Sequence, residues 1–431
     1  MQATTLWAAP VFSAPALMRL LLLLCLLLST LARADNAAPI LVGELPDDGP
    51  DAGFQAGWRL ALDDINRAGG VMGRPLTVKP LDPNSGPGDA VALFDGAGSA
   101  QALAHARQAA AWRLPYLAAA ASSDRLVWQE GNPYTFRLPP STRMRVAALA
   151  PRALGLRQKR WAIVYPTTLP GEEAAATFGA MMTAFQSKTE VVSRLPVEPS
   201  GINPQLMQTL AESRPQALMV ALRGQDLAQF LHLLAKAPLP AVVILHGEDL
   251  PADSPPGWIS ATYSHRLPES QAAFSAAYQA AQGQTPTKRA LQGYIALHSL
   301  AEALRAAQST DAEKLIEALE GLKLDTPAGP IQYRKIDHQA TLGLHLAVTG
   351  DNGEPEQLQF IDGVRLQLPD TLARRMREPA RPPVEEHTAA GHAPPVAPKT
   401  VSDLTGAAAD QARFGVSPSM TGGAALPIWP D

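Results

Sequence analysis

Along most of the chain, short runs of consecutive apolar residues alternate with longer stretches in which apolar residues return every three or four positions. Ile40-Leu41-Val42-Gly43, Leu76-Thr77-Val78-Lys79, Tyr116-Leu117-Ala118, Trp161-Ala162-Ile163-Val164-Tyr165, Ala217 to Leu222 and Ala241 to Leu245 read as strands. They lack polar alternation, which predicts strands covered on both faces, as in a parallel sheet. Between them Phe54, Trp58, Ala61, Leu62 and Ile65 recur at helical spacing behind Pro50-Asp51. That predicts an amphipathic helix capped by Asp51 and stopped by Gly69-Gly70, where glycine takes positive φ without strain. Further helices are predicted from Ser99 through Ala111, Ala174 to Phe185, Pro204 onward, Asp226 to Leu234, Ser270 to Gln282, Arg289 to Ala306 and, capped by Asp311, through Leu319. A hairpin turns at Asp351-Asn352-Gly353. The alternation predicts an α/β fold with doubly wound parallel sheets.

The segment Ala61, Ile65, Asn66, Ala68, Gly69, Gly70, Gly73, Arg74, Leu76 and then Asp82 resembles the amino terminus of type I periplasmic binding proteins of ABC transporters. It is most similar to those serving branched-chain amino acids and amides. Phe274, Tyr278, Gly283, Pro286, Tyr294 and Ala296 match a second stretch of that family, and Thr326-Pro327-Ala328-Gly329-Pro330-Ile331 a third. The resemblance covers roughly residues 38–365 and implies two lobes that close on a hinge over a small molecule. Relatives carry a longer helix and an extra strand where only Asp82 to Ser99 remain, so the first lobe is expected to be trimmed.

The expected organisation is a signal peptide at 1–34, lobe I at 35–155, lobe II at 156–284, a return to lobe I at 285–325, and completion of lobe II with a carboxy-terminal hairpin at 326–377. A flexible tail rich in proline and alanine is expected at 378–431. Met18-Arg19, the apolar run Leu20 to Leu28 and the small residues Ala32 and Ala34 predict cleavage after Ala34 and delivery to the periplasm. The run falls short of the ~20 apolar residues that a membrane span needs. Start sites at Met1 and Met18 are both compatible with this pattern.

At 431 residues the chain is too long for one small core. Its net charge of -4 becomes -6 after loss of Arg19 and Arg33, which offers no footprint for nucleic acid. The single cysteine, Cys25, lies inside the leader, so the mature chain has no thiol for disulfides or metal sites. No nucleophile elbow, P-loop or zinc spacing occurs, so an enzyme is not expected, nor any cofactor or metal.

In open α/β sheets ligands bind beyond the carboxyl ends of strands. That rule selects the loops Pro46 to Gly53, Ala119 to Asp124, Pro166 to Glu172 and His246 to Leu250. Ala119-Ala120-Ala121-Ser122-Ser123 resembles the family segment whose backbone and hydroxyl hold a ligand carboxylate. The resemblance implies ligand roles for Ala120, Ser122 and Ser123, although a serine-rich turn would read the same. Ser99 matches the cleft-facing serine of relatives, or caps the helix that follows. Glu248 falls where relatives often pair an acid with a ligand amine, or is a solvated loop acid; His246 reads as a packed strand-end residue. Tyr165 lies at the cleft rim, while the tyrosine of the family's "D-x-x-Y-G" is replaced by Leu169-Pro170-Gly171. Asp47, Asp48 and Asp51 crowd the first loop. The implied function is the periplasmic solute-binding component of an ABC transporter, a monomer that takes an amino acid, amide or carboxylate and presents it to an inner-membrane permease. A sensor or accessory protein that has lost transport is the alternative.

Overall fold

The computed structural model describes residues 38–47, 52–235, 241–262 and 272–377. The expected leader, the tail, Asp48 and Asp51 lie outside the described residues.

The first lobe is built on five strands, β1 (Ile40–Glu44), β2 (Leu76–Pro80), β3 (Ala92–Asp95), β4 (Tyr116–Ala118) and β5 (Thr135–Arg137). All pair in parallel, in the order β2-β1-β3-β4-β5. Helix α1 (Ala52–Arg67) buries Phe54, Trp58, Ala61 and Ile65, the stripe that its periodicity predicts. Helix α2 (Ser99–Trp112) follows β3. No helix joins β2 to β3; Leu81 in that connection lies on β1 so closely that a Cβ on Gly43 would sit 2.2 Å from its Cδ1.

The motif from Asn66 to Leu76 is a structural clasp. The Asn66 side chain donates to Leu76 O at 2.9 Å and accepts from Leu76 N at 2.8 Å, fastening the end of α1 to the start of β2. Gly70, at φ 75°, makes the return, and a Cβ there would meet Arg74 O at 2.1 Å.

Helix α3 (Thr142–Gly155) leads into the second lobe. There β6 (Arg160–Pro166), β7 (Glu190–Val197), β8 (Ala217–Val220), β9 (Val242–Ile244) and β10 (Ile259–Thr262) are parallel. The hairpin strands β13 (Leu344–Thr349) and β14 (Pro355–Ile361) join antiparallel beside β10, giving the order β14-β13-β10-β9-β8-β6-β7. Helices α4 (Leu169–Phe185), α5 (Pro204–Ser213) and α6 (Gly224–Leu234) cover this sheet.

The return to the first lobe comes earlier than the expected boundary at 285. Helix α7 (Ala272–Gln282) already packs there, with the Phe274 ring 4.9 Å from that of Tyr294 on α8 (Lys288–Ala307). Aromatic packing on α8 decides its lobe, whereas its amphipathic pattern is neutral. Helices α1 and α8 cross at two glycines. A Cβ on Gly57 would lie 1.9 Å from Ala290 O, and one on Gly293 would lie 2.3 Å from Phe54 O. Helix α9 (Ala312–Leu319) is capped by Asp311, whose carboxylate accepts from Lys314 N at 3.1 Å.

The region 326–377 is also divided differently from the expectation. Strands β11 (Lys323–Thr326) and β12 (Gly329–Gln332) form a separate hairpin. It leads to Tyr333, whose hydroxyl donates to Ser299 on α8 at 2.9 Å and whose ring meets Phe136 of the first lobe. The short α10 (Gly363–Leu366) is followed by α11 (Asp370–Arg377), which packs through Ala373 with Val127 and Trp128. Only the β13–β14 hairpin completes the second sheet.

Candidate functional site

The loop after β4 meets the first turns of α4, which follows β6, and α3 touches that loop through Thr142 and the loop after β9 through Arg145. The start of α3 follows Pro139-Pro140: proline breaks β5, and Ser141 then caps the helix by accepting from Met144 N at 3.1 Å. Thr142, in the first turn, donates to Ser122 O through its amide at 2.8 Å and its hydroxyl at 3.0 Å. Arg145, one turn on and on the same face, reaches Glu248 in the second lobe. Ser122 and Glu248, predicted separately, therefore flank one helical turn that the sequence reading did not find.

On the first-lobe side, Ser99 does not cap the helix that it begins. Gly98 occupies the cap position of α2 without a side-chain bond. The Ser99 hydroxyl instead accepts from the amides of Ser122 and Ser123, both at 3.1 Å, and so shapes the loop after β4. Its own proton remains available to donate. The Ala120 amide and the Ser122 hydroxyl make no hydrogen bond among the described residues, and Ala120 is partly exposed while Ser122 is buried. Ser123 turns away from this group: its hydroxyl donates to Glu173 Oε1 at 2.6 Å, and its carbonyl accepts from Arg137. Asp47 pairs with Arg289 at 3.1 Å.

On the second-lobe side the Glu248 carboxylate is enclosed by cations. Arg145 holds it with two bonds, Nη2 to Oε1 at 2.8 Å and Nη1 to Oε2 at 3.2 Å, and Lys288 Nζ lies 3.2 Å from Oε1. Both side chains of the Arg145–Glu248 pair are 1% exposed. Burial alone would push the Glu248 carboxyl up, but Arg145 and Lys288 outweigh it and hold it well below the usual carboxylate range. Lys288 begins α8, so this network crosses between the lobes. Asp249 lies 3.7 Å from the same lysine. Beyond β8, the exposed Arg223 reaches His246 Nδ1 at 3.2 Å. Burial, with Arg223 and Arg145 nearby, holds the His246 ring neutral, far below the ordinary imidazole range. The ring nitrogen facing Arg223 is then the acceptor. Among the described side chains of this network, Arg145, Lys288 and Arg223 stand with Glu248 and Asp249.

Tyr165, next to last in β6, is half-buried, its hydroxyl pushed up by partial burial. Four residues later Leu169 packs on the first-lobe cluster that includes Leu103, Ala106 and Leu126.

The profile described as periplasmic binding protein matches residues 46–354, most of the chain and both lobes. The chain belongs to the periplasmic binding protein family. Among solved structures, this binding protein is similar to a solute-binding protein of an ABC transporter from Rhodopseudomonas palustris BisB5 in complex with 3,4-dihydroxybenzoic acid. The TM-score is 0.65 at 20% identity, over 75% of this chain and 98% of that one. A periplasmic binding protein from Burkholderia mallei aligns with TM-score 0.69 at 17% identity, over 78% and 98% of the two chains. An ABC transporter substrate-binding protein from Desulfitobacterium hafniense in complex with Leu aligns with TM-score 0.61 at 21% identity, over 75% and 100%. No curated protein sequence matches this binding protein.

The sequence reading missed Thr142, Arg145, Glu173, Arg223 and Lys288 of this binding protein. A signal existed for two of them: Pro139-Pro140-Ser141 is a break followed by a capping residue, which marks a helix start at Thr142. Nothing local marks Glu173, whose importance comes from residues 50 positions away.

Proposed function

We propose that this protein is the solute-binding component of an ABC transporter and that its cleft takes a small organic carboxylate lacking an amine. The observation that carries this reading is the state of Glu248. A ligand ammonium needs an uncompensated acid, and Glu248 is already balanced by Arg145 and Lys288. A carboxylate, in contrast, meets the Ala120 amide, the Ser122 hydroxyl and the Ser99 hydroxyl on one rim and a surplus of positive charge on the other. Hydroxyls and amides bind an anion without a full countercharge. Tyr165 supplies an apolar face with a polar tip at the rim, which suits an aromatic or short aliphatic acid. The relative seen with 3,4-dihydroxybenzoic acid supports this class, and the relative seen with Leu represents the alternative.

The test is thermal-shift titration with benzoate, 4-hydroxybenzoate and leucine. A stabilising shift is expected with the two benzoates and little or none with leucine, since a ligand at 100 times its Kd stabilises by about 2.7 kcal/mol. Ser122→Ala is expected to remove most of the benzoate shift. A larger shift with leucine than with either benzoate, or a benzoate shift unchanged by Ser122→Ala, rejects the assignment.

A further inference from the structure

Glu173 lies in the first turns of α4, in the second lobe, yet both its carboxyl oxygens bond to the first. Ser123 Oγ lies 2.6 Å from Oε1, and the Asp124 amide donates to Oε2 at 2.9 Å. The residue is 1% exposed, whereas its neighbour Glu172 is exposed. One turn earlier, Leu169 packs on the same first-lobe face, so two consecutive turns of α4 dock there.

The charges around this contact do not neutralise it. No cation lies within ion-pair reach of Glu173 among the described residues. Asp124, on the turn after Ser123, is buried beside it, and its Oδ1 has no hydrogen-bond partner among the described residues. Arg137 on β5 is buried nearby and its charge acts on both carboxylates, but its guanidinium donates to Gln339 and to Ser123 O, and its Nη2 has no hydrogen-bond partner among the described residues. Arg143 on α3 faces Asp124 through its amide, at 3.2 Å, and its charge acts there too; Asp337, between β12 and β13, acts on Arg137. A buried carboxylate with no paired cation is costly, and the proton relieves that cost.

We propose that Glu173 is a proton-operated latch between the lobes and the positioning residue of the Ser122 rim: its neutral carboxyl group docks on Ser123 and Asp124, and ionisation releases it. Burial first, and Asp124 second, push the Glu173 carboxyl up to about 8 in the docked form. Released into water, it returns to the ordinary carboxylate value near 4.3. Docking is therefore unpenalised below the released value, weakens as pH rises between the two values by at most about tenfold per unit, and levels off above the docked one. The 2.6 Å contact with Ser123 suits either direction of donation, so the neutral acid keeps both bonds.

The inference rests on the reading that the two lobes open and close, not on which solute they hold, and its test uses no ligand. In the full chain carrying Cys25→Ala, spin labels on Asp89→Cys in the first lobe and Ser200→Cys in the second report the interlobe distance between pH 5 and pH 9. The distance is expected to lengthen as pH rises. Glu173→Gln, a neutral isostere, is expected to hold the short distance throughout, and Ser123→Ala to lengthen it already at pH 6. A distance independent of pH in the parent, the same pH response in Glu173→Gln, or a short distance at pH 6 in Ser123→Ala overturns the latch. Failure of the benzoate titration leaves this measurement unaffected.

Discussion

Glu248 shows how one side chain changes meaning when its surroundings are known. An acid after a strand in a small loop has the chemistry to receive an ammonium. In the folded chain it closes a network with Arg145 and Lys288, its side chain 1% exposed. Glu248→Ala is expected to cost about 3–5 kcal/mol in chemical denaturation, because it takes the bidentate anion from the buried Arg145 and leaves Lys288 only the more distant Asp249. A loss below ~1 kcal/mol would mean that water reaches both of them. Ser99 makes a related point, since a serine at the first turn of a helix reads as a cap. Its hydroxyl serves a loop more than 20 residues away, a role that local pattern does not encode. Asn66, by contrast, works within its own motif, bonding twice to Leu76 across the glycine turn; the motif was visible in the sequence, its hydrogen bonds were not.

At the scale of elements, helices and strands with strong apolar patterns were legible, and those shaped by the join between lobes were not. Strands β5 and β10 have three and four residues, and α3 carries Pro151 inside it, so none gives a sustained period. Between Asp82 and Ser99 the chain forms the strand β3 but no helix, and Leu81 covers β1. The α1–α8 crossing depends on its glycines, which the sequence offered only as interruptions of helical patterns. Gly57→Ala is expected to destabilise the protein by about 1–3 kcal/mol in urea unfolding, since the added methyl overlaps Ala290 O. An unchanged midpoint would show that α1 and α8 separate freely. Gly69, whose Cβ would meet nothing within 4 Å, has no such packing constraint and is held to glycine by its φ of 97°.

For the whole molecule, the arrangement of the lobes is set by α3, by the contacts of α4 and by the ion network at Glu248. Leu169 contributes apolar burial to the same contact that Glu173 completes. Leu169→Ala is expected to raise the open fraction several-fold at pH 6, from loss of about 1–2 kcal/mol of burial, while leaving the unfolding midpoint near that of the parent. An interlobe distance equal to the parent's would exclude Leu169 from closure. The sequence by itself determined the family, the parallel α/β class and most strand positions, because apolar runs and the Asn66–Leu76 clasp are local. Tertiary structure alone decided which lobe α7 and α11 join, which charges are already paired and which carboxyl crosses the cleft. Those depend on distances between residues 40 to 250 positions apart, and free energies of burial and charge are functions of such distances, not of order along the chain.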